Sequence, residues 1–147
     1  MEYIIRNMIE SDREDVLSMM RLFYSSPAVY TDGSEEIFNA DIDYCVGDSP
    51  YLDGYVIEDG GRLIGYLMVA NGFSTEFGRR CAWIEDIYVK DEYRGRGIGS
   101  MCLEYIEERY KGHLLRLEVE EENGRALHVY RKCGFDLLPY MEMKKLT

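Results

Sequence analysis

Residues 84–101 read Ile-Glu-Asp-Ile-Tyr-Val-Lys-Asp-Glu-Tyr-Arg-Gly-Arg-Gly-Ile-Gly-Ser-Met. The apolar run 83–89 holds two adjacent carboxylates, Glu85 and Asp86, and reads as a buried strand. A short charged turn leads into Arg94-Gly95-Arg96-Gly97-Ile98-Gly99. After it, Ile98, Met101, Cys102, Tyr105, Ile106 and Tyr110 recur at helical spacing, with Glu104, Glu107 and Glu108 on the opposite, solvated face. The glycines therefore stand where a strand gives way to a helix.

A helix start leaves backbone N–H groups unpaired and carries partial positive charge from the aligned peptide dipoles. Residues without a Cβ let an anion come close to the main chain, and Arg94 and Arg96 would add charge-assisted bonds around it. Phosphate binding is the functional reading; an ordinary tight turn is the alternative that glycines by themselves leave open. No Lys-Ser or Lys-Thr pair follows, so the nucleoside-triphosphate loop pattern fails. The dinucleotide pattern fails as well, because Ser100 or Cys102 stands where its third glycine belongs.

The chain has 147 residues, which is one domain's worth and is expected to span 1–147 as a unit. That length buries about two thirds of the unfolded surface. Hydrophobic residues make up 46% and charged residues 31%, and no apolar run approaches the roughly eighteen residues of a membrane span. The N-terminus shows no basic segment followed by a long apolar one, so no secretion signal is read. These features predict a cytoplasmic protein without a membrane partner. Lys and Arg number 17 against 28 Asp and Glu, a net charge of −11, which argues against nucleic acid and for cationic ligands, or simply for solubility. Cys45, Cys81, Cys102 and Cys133 form no C-x-x-C pair and read as reduced core thiols, with no metal site expected.

Along the chain, residues 2–8 read as a first strand, and Ser11 and Glu14 have the spacing of a capping box at a helix start. Val16, Leu17, Met19, Met20 and Phe23 give that helix its apolar side, and Pro27 ends it. A second helix carries Ile37, Phe38, Ile42 and Cys45 and stops near Gly47. Strands at 55–58 and 63–70 flank Asp59-Gly60-Gly61 as a hairpin, and 71–80 form a turn. After the central strand and glycine helix, 114–120 alternate as a strand. Asn123 caps a last helix terminated at Gly134, and 136–146 make closing strands around Pro139. The order is βααβββαβαβ with an optional further final strand, a mixed α/β sheet with helices on both faces.

Arg94, Gly97 and Gly99 fit R/Q-x-x-G-x-G/A, and Asn123, Ala126, Tyr130, Gly134 and Phe135 fit N-x-x-A-x-x-x-Y-x-x-x-G-F. With the βαα opening, these motifs resemble the Gcn5-related N-acetyltransferases (GNAT) over essentially the whole chain. Ile84-Glu85-Asp86 with Tyr93-Arg94-Gly95 and Gly97-Ile98-Gly99-Ser100 resembles more narrowly the diamine and polyamine N-acetyltransferases. The resemblance implies the acyl-CoA N-acyltransferase fold, mostly antiparallel, and acetyl-CoA as cofactor. Its pyrophosphate would lie on the loop from Arg94 through Gly95, Arg96, Gly97, Ile98 and Gly99 to Ser100. Main-chain N–H groups of Ile87, Tyr88 and Val89 would meet the thioester, and Asn123 and Tyr130 would complete the cofactor site. A homodimer is a further expectation, with the final strand contributing.

Acetylating an alkyl amine requires its neutral form, yet the free group has a pKa of about 10.4, so a base is needed. Glu85 interrupts the apolar strand just before the glycine turn, where desolvation raises proton affinity, and is the candidate base. By strand alternation Asp86 faces the other way. Tyr130 resembles the family's acid, which protonates the leaving thiolate. Tyr24, Tyr30, Asp32, Glu118 and Glu120 are candidates to recognise a cationic acceptor. The expected partner is a small-molecule amine, with a polyamine as leading substrate and amino acids, antibiotics or protein amines as alternatives. A non-catalytic acyl-CoA-binding module and a nucleotide-binding protein are the readings from other classes.

Overall fold

The computed structural model describes residues 2–147. β1 (Tyr3–Asn7) leads through a 3₁₀ turn, Glu10–Asp12, into α1 (Arg13–Tyr24) and then α2 (Glu35–Val46). Next come β2 (Leu52–Asp59), β3 (Arg62–Ser74) and β4 (Arg79–Val89), followed by α3 (Ile98–Arg109), β5 (Leu114–Leu117) and α4 (Gly124–Lys132). The strands lie in sequence order; neighbours are antiparallel except β4 and β5, which run parallel with α3 as their crossover.

β3 runs through the middle of the sheet and is apolar on both faces. Tyr66 and Met68 join Val16, Met20, Phe38 and Ile42 beneath α1 and α2. Leu67 and Val69 join Ile98, Cys102 and Ile106 beneath α3. Each such side chain taken from water contributes about 1.5–3 kcal/mol, so the two-sided strand commits the chain to helices on both faces. Gly60 and Gly61, with φ of 57° and 84°, make the turn between β2 and β3 that a side chain would resist. The far end of α3 is tied to β2 by the Tyr110 hydroxyl, 2.7 Å from the Tyr55 hydroxyl and donating to Asp53 Oδ2 at 2.6 Å.

Several local expectations are corrected. Ser11 and Glu14 do not cap α1. The Asp12 carboxylate accepts the Ile9 N–H at 2.9 Å and is paired with Arg6 at 2.9 Å, because a buried carboxylate with a long-range cationic partner outcompetes a local hydroxyl. β3 and β4 extend into the expected 71–80 turn, which shrinks to 75–78. β5 ends at Leu117 rather than 120. No closing strand forms over 136–146 among the described residues: Pro139 lacks an N–H for a ladder, and Met141 and Met143 are 96% and 94% exposed.

Gly65 sits between Ile57 and Val89 in the sheet. A Cβ there would run into the Tyr88 carbonyl oxygen and stand 2.7 Å from Ile57 Cδ1. Gly65→Ala is therefore expected to destabilise the fold by about 1–3 kcal/mol, read as a lower urea midpoint with an unchanged m-value. An unaltered midpoint would show that the backbone yields at this point.

Candidate active site

β4 and β5 stay together for four rungs only, from Cys81 beside Leu114 to Ile84 beside Leu117. β5 then stops at the acidic run that begins with Glu118, while β4 continues to Val89 with one edge unpaired. The Lys90 N–H donates to Ile64 O on β3 at 2.8 Å, so alternation turns the main-chain groups of Ile87 and Val89 toward the gap and those of Tyr88 away from it. Val89 O accepts a hydrogen bond from Arg94 Nε at 3.0 Å. The gap opens into a groove of about 2370 Å³, well above the ~300–1,000 Å³ of a single drug-sized ligand site and therefore roomy enough for an extended cofactor and an acceptor together.

The glycine loop borders this groove. Gly95 and Gly97 have φ of 76° and 77°, and a Cβ on Gly97 or Gly99 would meet nothing within 4 Å. Among the described residues, the N–H groups from Gly95 to Ser100 have no protein acceptor; the first that does is Met101, bonded to Gly97 O at 3.1 Å. Five or six amide donors in an open concavity suit a diphosphate. Arg94 is planted beside them by Val89 O and by an ion pair with Asp91 at 2.7 Å. Arg96 turns elsewhere, its guanidinium 5.0 Å from the Tyr93 ring centroid and bonded to Tyr3, and it does not line the groove. The cation that does line it beside the loop is Arg125, in the first turn of α4, 3.7 Å from where a Gly95 Cβ would stand. No local signal marks Arg125; its place depends on how α4 docks. The residues present thus fit acetyl-CoA, with the loop amides, Arg94 and Arg125 at its phosphates.

Across the gap lie the carboxylates. β3 and β4 slip register here: Met68 pairs with Asp86 and Val69 with Ile84, leaving Glu85 as an unpaired bulge. Alternation puts Asp86 on the face of Ile84; the bulge moves it instead to the face of Tyr66 and Tyr24, buried at 4% exposure. The Tyr66 hydroxyl donates to Asp86 at 2.7 Å and the Tyr24 hydroxyl at 3.1 Å. Burial outweighs both bonds and pushes the Asp86 carboxyl up to about 6, with Asp41 adding to the rise. Tyr24 is thus an anchor for Asp86. Glu85 opens toward the groove, and its proton affinity is raised by desolvation first, then by Asp86 and Glu142.

Asp41 on α2, which the sequence did not single out, is pushed up to about 6 by burial and by Glu85. Glu118 is pushed up to about 7, first by its hydrogen bond with Glu142, then by burial. The C-terminal segment thus supplies a carboxylate that reading it as a strand gave no reason to expect. Tyr30 is 74% exposed at the rim, Glu120 lines the groove, and Asp32 lies outside it. Tyr130 lines the groove from the cofactor side, its ring 6.0 Å from Phe135. Its hydroxyl has no protein partner among the described residues, and burial holds it protonated at neutral pH. Asn123 caps α4 by accepting the Ala126 N–H at 3.2 Å, so its oxygen is already engaged.

The family model described as "Acetyltransferase (GNAT) family" matches residues 14–135, and the chain belongs to that family. It is an acetyl-CoA-dependent N-acetyltransferase. Thialysine N-epsilon-acetyltransferase of Bos taurus is 34% identical over 144 residues, covering 89% of this chain and 82% of that protein. A possible acetyltransferase from Clostridium difficile 630 superposes with a TM-score of 0.84 at 18% identity, covering 99% and 97% of the two chains. An aminoglycoside N-acetyltransferase in complex with CoA superposes at 0.81 and 15% identity, covering 99% and 95%. No helix among the described residues is long and apolar enough to cross a membrane.

After burial, the Asp86 charge is the largest cause of the raised Glu85 affinity. Asp86→Asn is expected to lower the Glu85 pKa toward the ordinary carboxylate range, seen by carboxyl-carbon NMR titration. A Glu85 titration that does not move would mean that Asp86 is already neutral where Glu85 titrates.

Proposed function

We propose that this single domain, 1–147, acetylates a primary amine on a small cationic molecule, a class that takes in polyamines and the side-chain amine of thialysine, the compound in the relatives' name. The observation that carries this reading is the trio of Glu85, Glu118 and Glu142 in the same groove as the unpartnered Tyr130 hydroxyl, with the half-buried Asp41 of α2 acting electrostatically with Glu85. Such a group attracts an ammonium ion and, because the proton affinities of Glu85 and Glu118 are raised, can also take a proton from it. The four cysteines are all free thiols, in keeping with a reducing, cytoplasmic setting.

Acetyl-CoA supplies the activated acetyl carbon and the leaving thiol. The N–H groups of Ile87 and Val89 donate to the carbonyl oxygen as charge builds on it, a role that needs no particular side chain. Glu85 accepts a proton from the amine, directly or through water, so that the nitrogen lone pair is free when the new C–N bond forms. As the C–S bond breaks, Tyr130 gives its proton to the sulfur, and the second proton that the nitrogen sheds on becoming an amide returns through solvent to the tyrosinate. The raised affinity of Glu85 has a kinetic sign: the acid limb of kcat/KM should lie at higher pH than for an ordinary carboxylate, because activity is lost once Glu85 is protonated.

Tyr130→Phe is expected to lower kcat roughly a hundredfold or more while leaving acetyl-CoA affinity by calorimetry near that of the unaltered protein. An unchanged kcat removes the tyrosine from the chemistry. Thiol release measured across diamines, polyamines, basic amino acids and peptides should be fastest with a small cationic amine. Activity confined to peptides would overturn the small-acceptor reading, and coenzyme A binding without thiol release for any amine would point to a regulatory module instead.

A further inference from the structure

Three arginines line the groove, and two of them, Arg94 and Arg125, stand at the glycine loop. The third, Arg116, lines the groove from β5, two residues before Glu118. It pairs across the sheet with Trp83, and its guanidinium carbon lies 4.4 Å from the indole centroid. Its Nε is buried with no hydrogen-bond partner, its guanidinium reaches the Cys81 thiol, and none of the described ion pairs joins it to an acid. In a chain of net charge −11, an arginine that lines the same groove as Glu85 and Glu118 yet has no acid partner among the described ion pairs is held back from the groups that would ordinarily neutralise it. Stacking on Trp83 does this: it fixes the plane of the guanidinium and leaves an edge of N–H donors as a fork.

Position along the strands gives the fork a meaning. Trp83 and Arg116 are neighbours on adjacent strands, and two residues further along the chain come Glu85, at the β4 bulge, and Glu118, just past the end of β5, whose charges interact. All four line the one groove. A groove that offers an anion receptor and, further along, ammonium receptors matches a zwitterion.

We propose that Arg116 is a specificity-determining residue: it binds the α-carboxylate of an amino acid whose side-chain amine is the acceptor, and so selects such an amino acid over a diamine. A carboxylate matches the arginine fork with two parallel charge-assisted bonds. A diamine anchored at Glu85 would aim its second ammonium at Arg116, where like charges repel. The proposal deepens the acetyltransferase reading above and rests on it.

The test compares kcat/KM for L-lysine with that for 1,5-diaminopentane, which is the same skeleton without the carboxylate, and for lysinamide, in which the carboxylate is a neutral amide. The unaltered protein should favour lysine over both by about ten- to a hundredfold, the worth of hydrogen bonds to a charged group. Arg116→Gln should bring the lysine-to-diamine ratio toward one, and Arg116→Lys should retain part of it. A ratio at or below one in the unaltered protein, or one that Arg116→Gln leaves unchanged, overturns the proposal. The lysinamide comparison needs no variant and so stands even if Arg116→Gln does not fold. Thiol release without any preference for the carboxylate sinks this inference alone, whereas no release with any amine sinks it together with the acetyltransferase reading.

Discussion

The site depends on β4 and β5 parting after four rungs. In a continued parallel ladder the edge of β4 beyond Ile84 would be consumed by hydrogen bonds to β5, and the sheet would be closed. Instead, main-chain donors of Ile87 and Val89 are left facing a gap, and the start of α3 brings further N–H groups without protein acceptors to the same opening. Backbone groups left without partners away from water cost free energy, so a gap of this kind persists where solvent or a polar ligand meets it. In the mechanism proposed above, a thioester carbonyl at the strand edge and a diphosphate at the helix start would supply the matching acceptors.

The gap also divides the chemistry between the two faces of the sheet. Ile87 and Val89 belong with the core under α3, where Tyr130 and the glycine loop lie, while Tyr66, Tyr88 and Tyr24 belong with the core under α1 and α2. The bulge at Glu85 joins the two, because one extra residue in β4 rotates Asp86 into the tyrosine face and leaves Glu85 at the opening. For Asp86, two tyrosine hydrogen bonds favour the anion and burial opposes it; burial prevails, leaving a carboxyl that titrates at about 6. Neighbouring carboxylates add to the raised proton affinities of Glu85, Asp41 and Glu118, and a cation placed among them relieves that repulsion. Arg116 breaks the pattern, and on the inference drawn from it, its isolation would separate an amino acid from a plain diamine.

Particular residues show where local reading succeeds and where it stops. Asn123 caps α4 and Gly134 leaves it at a φ of 94°, both consequences of bonding within a few residues. The expected Ser11 cap is not made; ahead of α1 the Asp12 carboxylate instead receives the Ile9 N–H, with Arg6 folded against it. The end of β5 at Leu117, the face of Asp86 and the turning away of Arg96 toward Tyr93 and Tyr3 all depend on contacts made across the sheet. The carboxylates of Asp41 and Glu142 and the cations of Arg116 and Arg125 carry no mark in their own neighbourhoods.

By itself the amino-acid sequence determined the order of elements through the last helix and the strand-to-helix glycine loop, since periodicity, turn chemistry and capping act over a few residues, and its motifs carried the resemblance to the family and the candidates Glu85 and Tyr130. Tertiary structure alone decided which charges share the groove, where the β4 ladder opens and which way the residue after the bulge points. Those features follow from register and desolvation, and both are properties of distant segments brought together rather than of any one stretch.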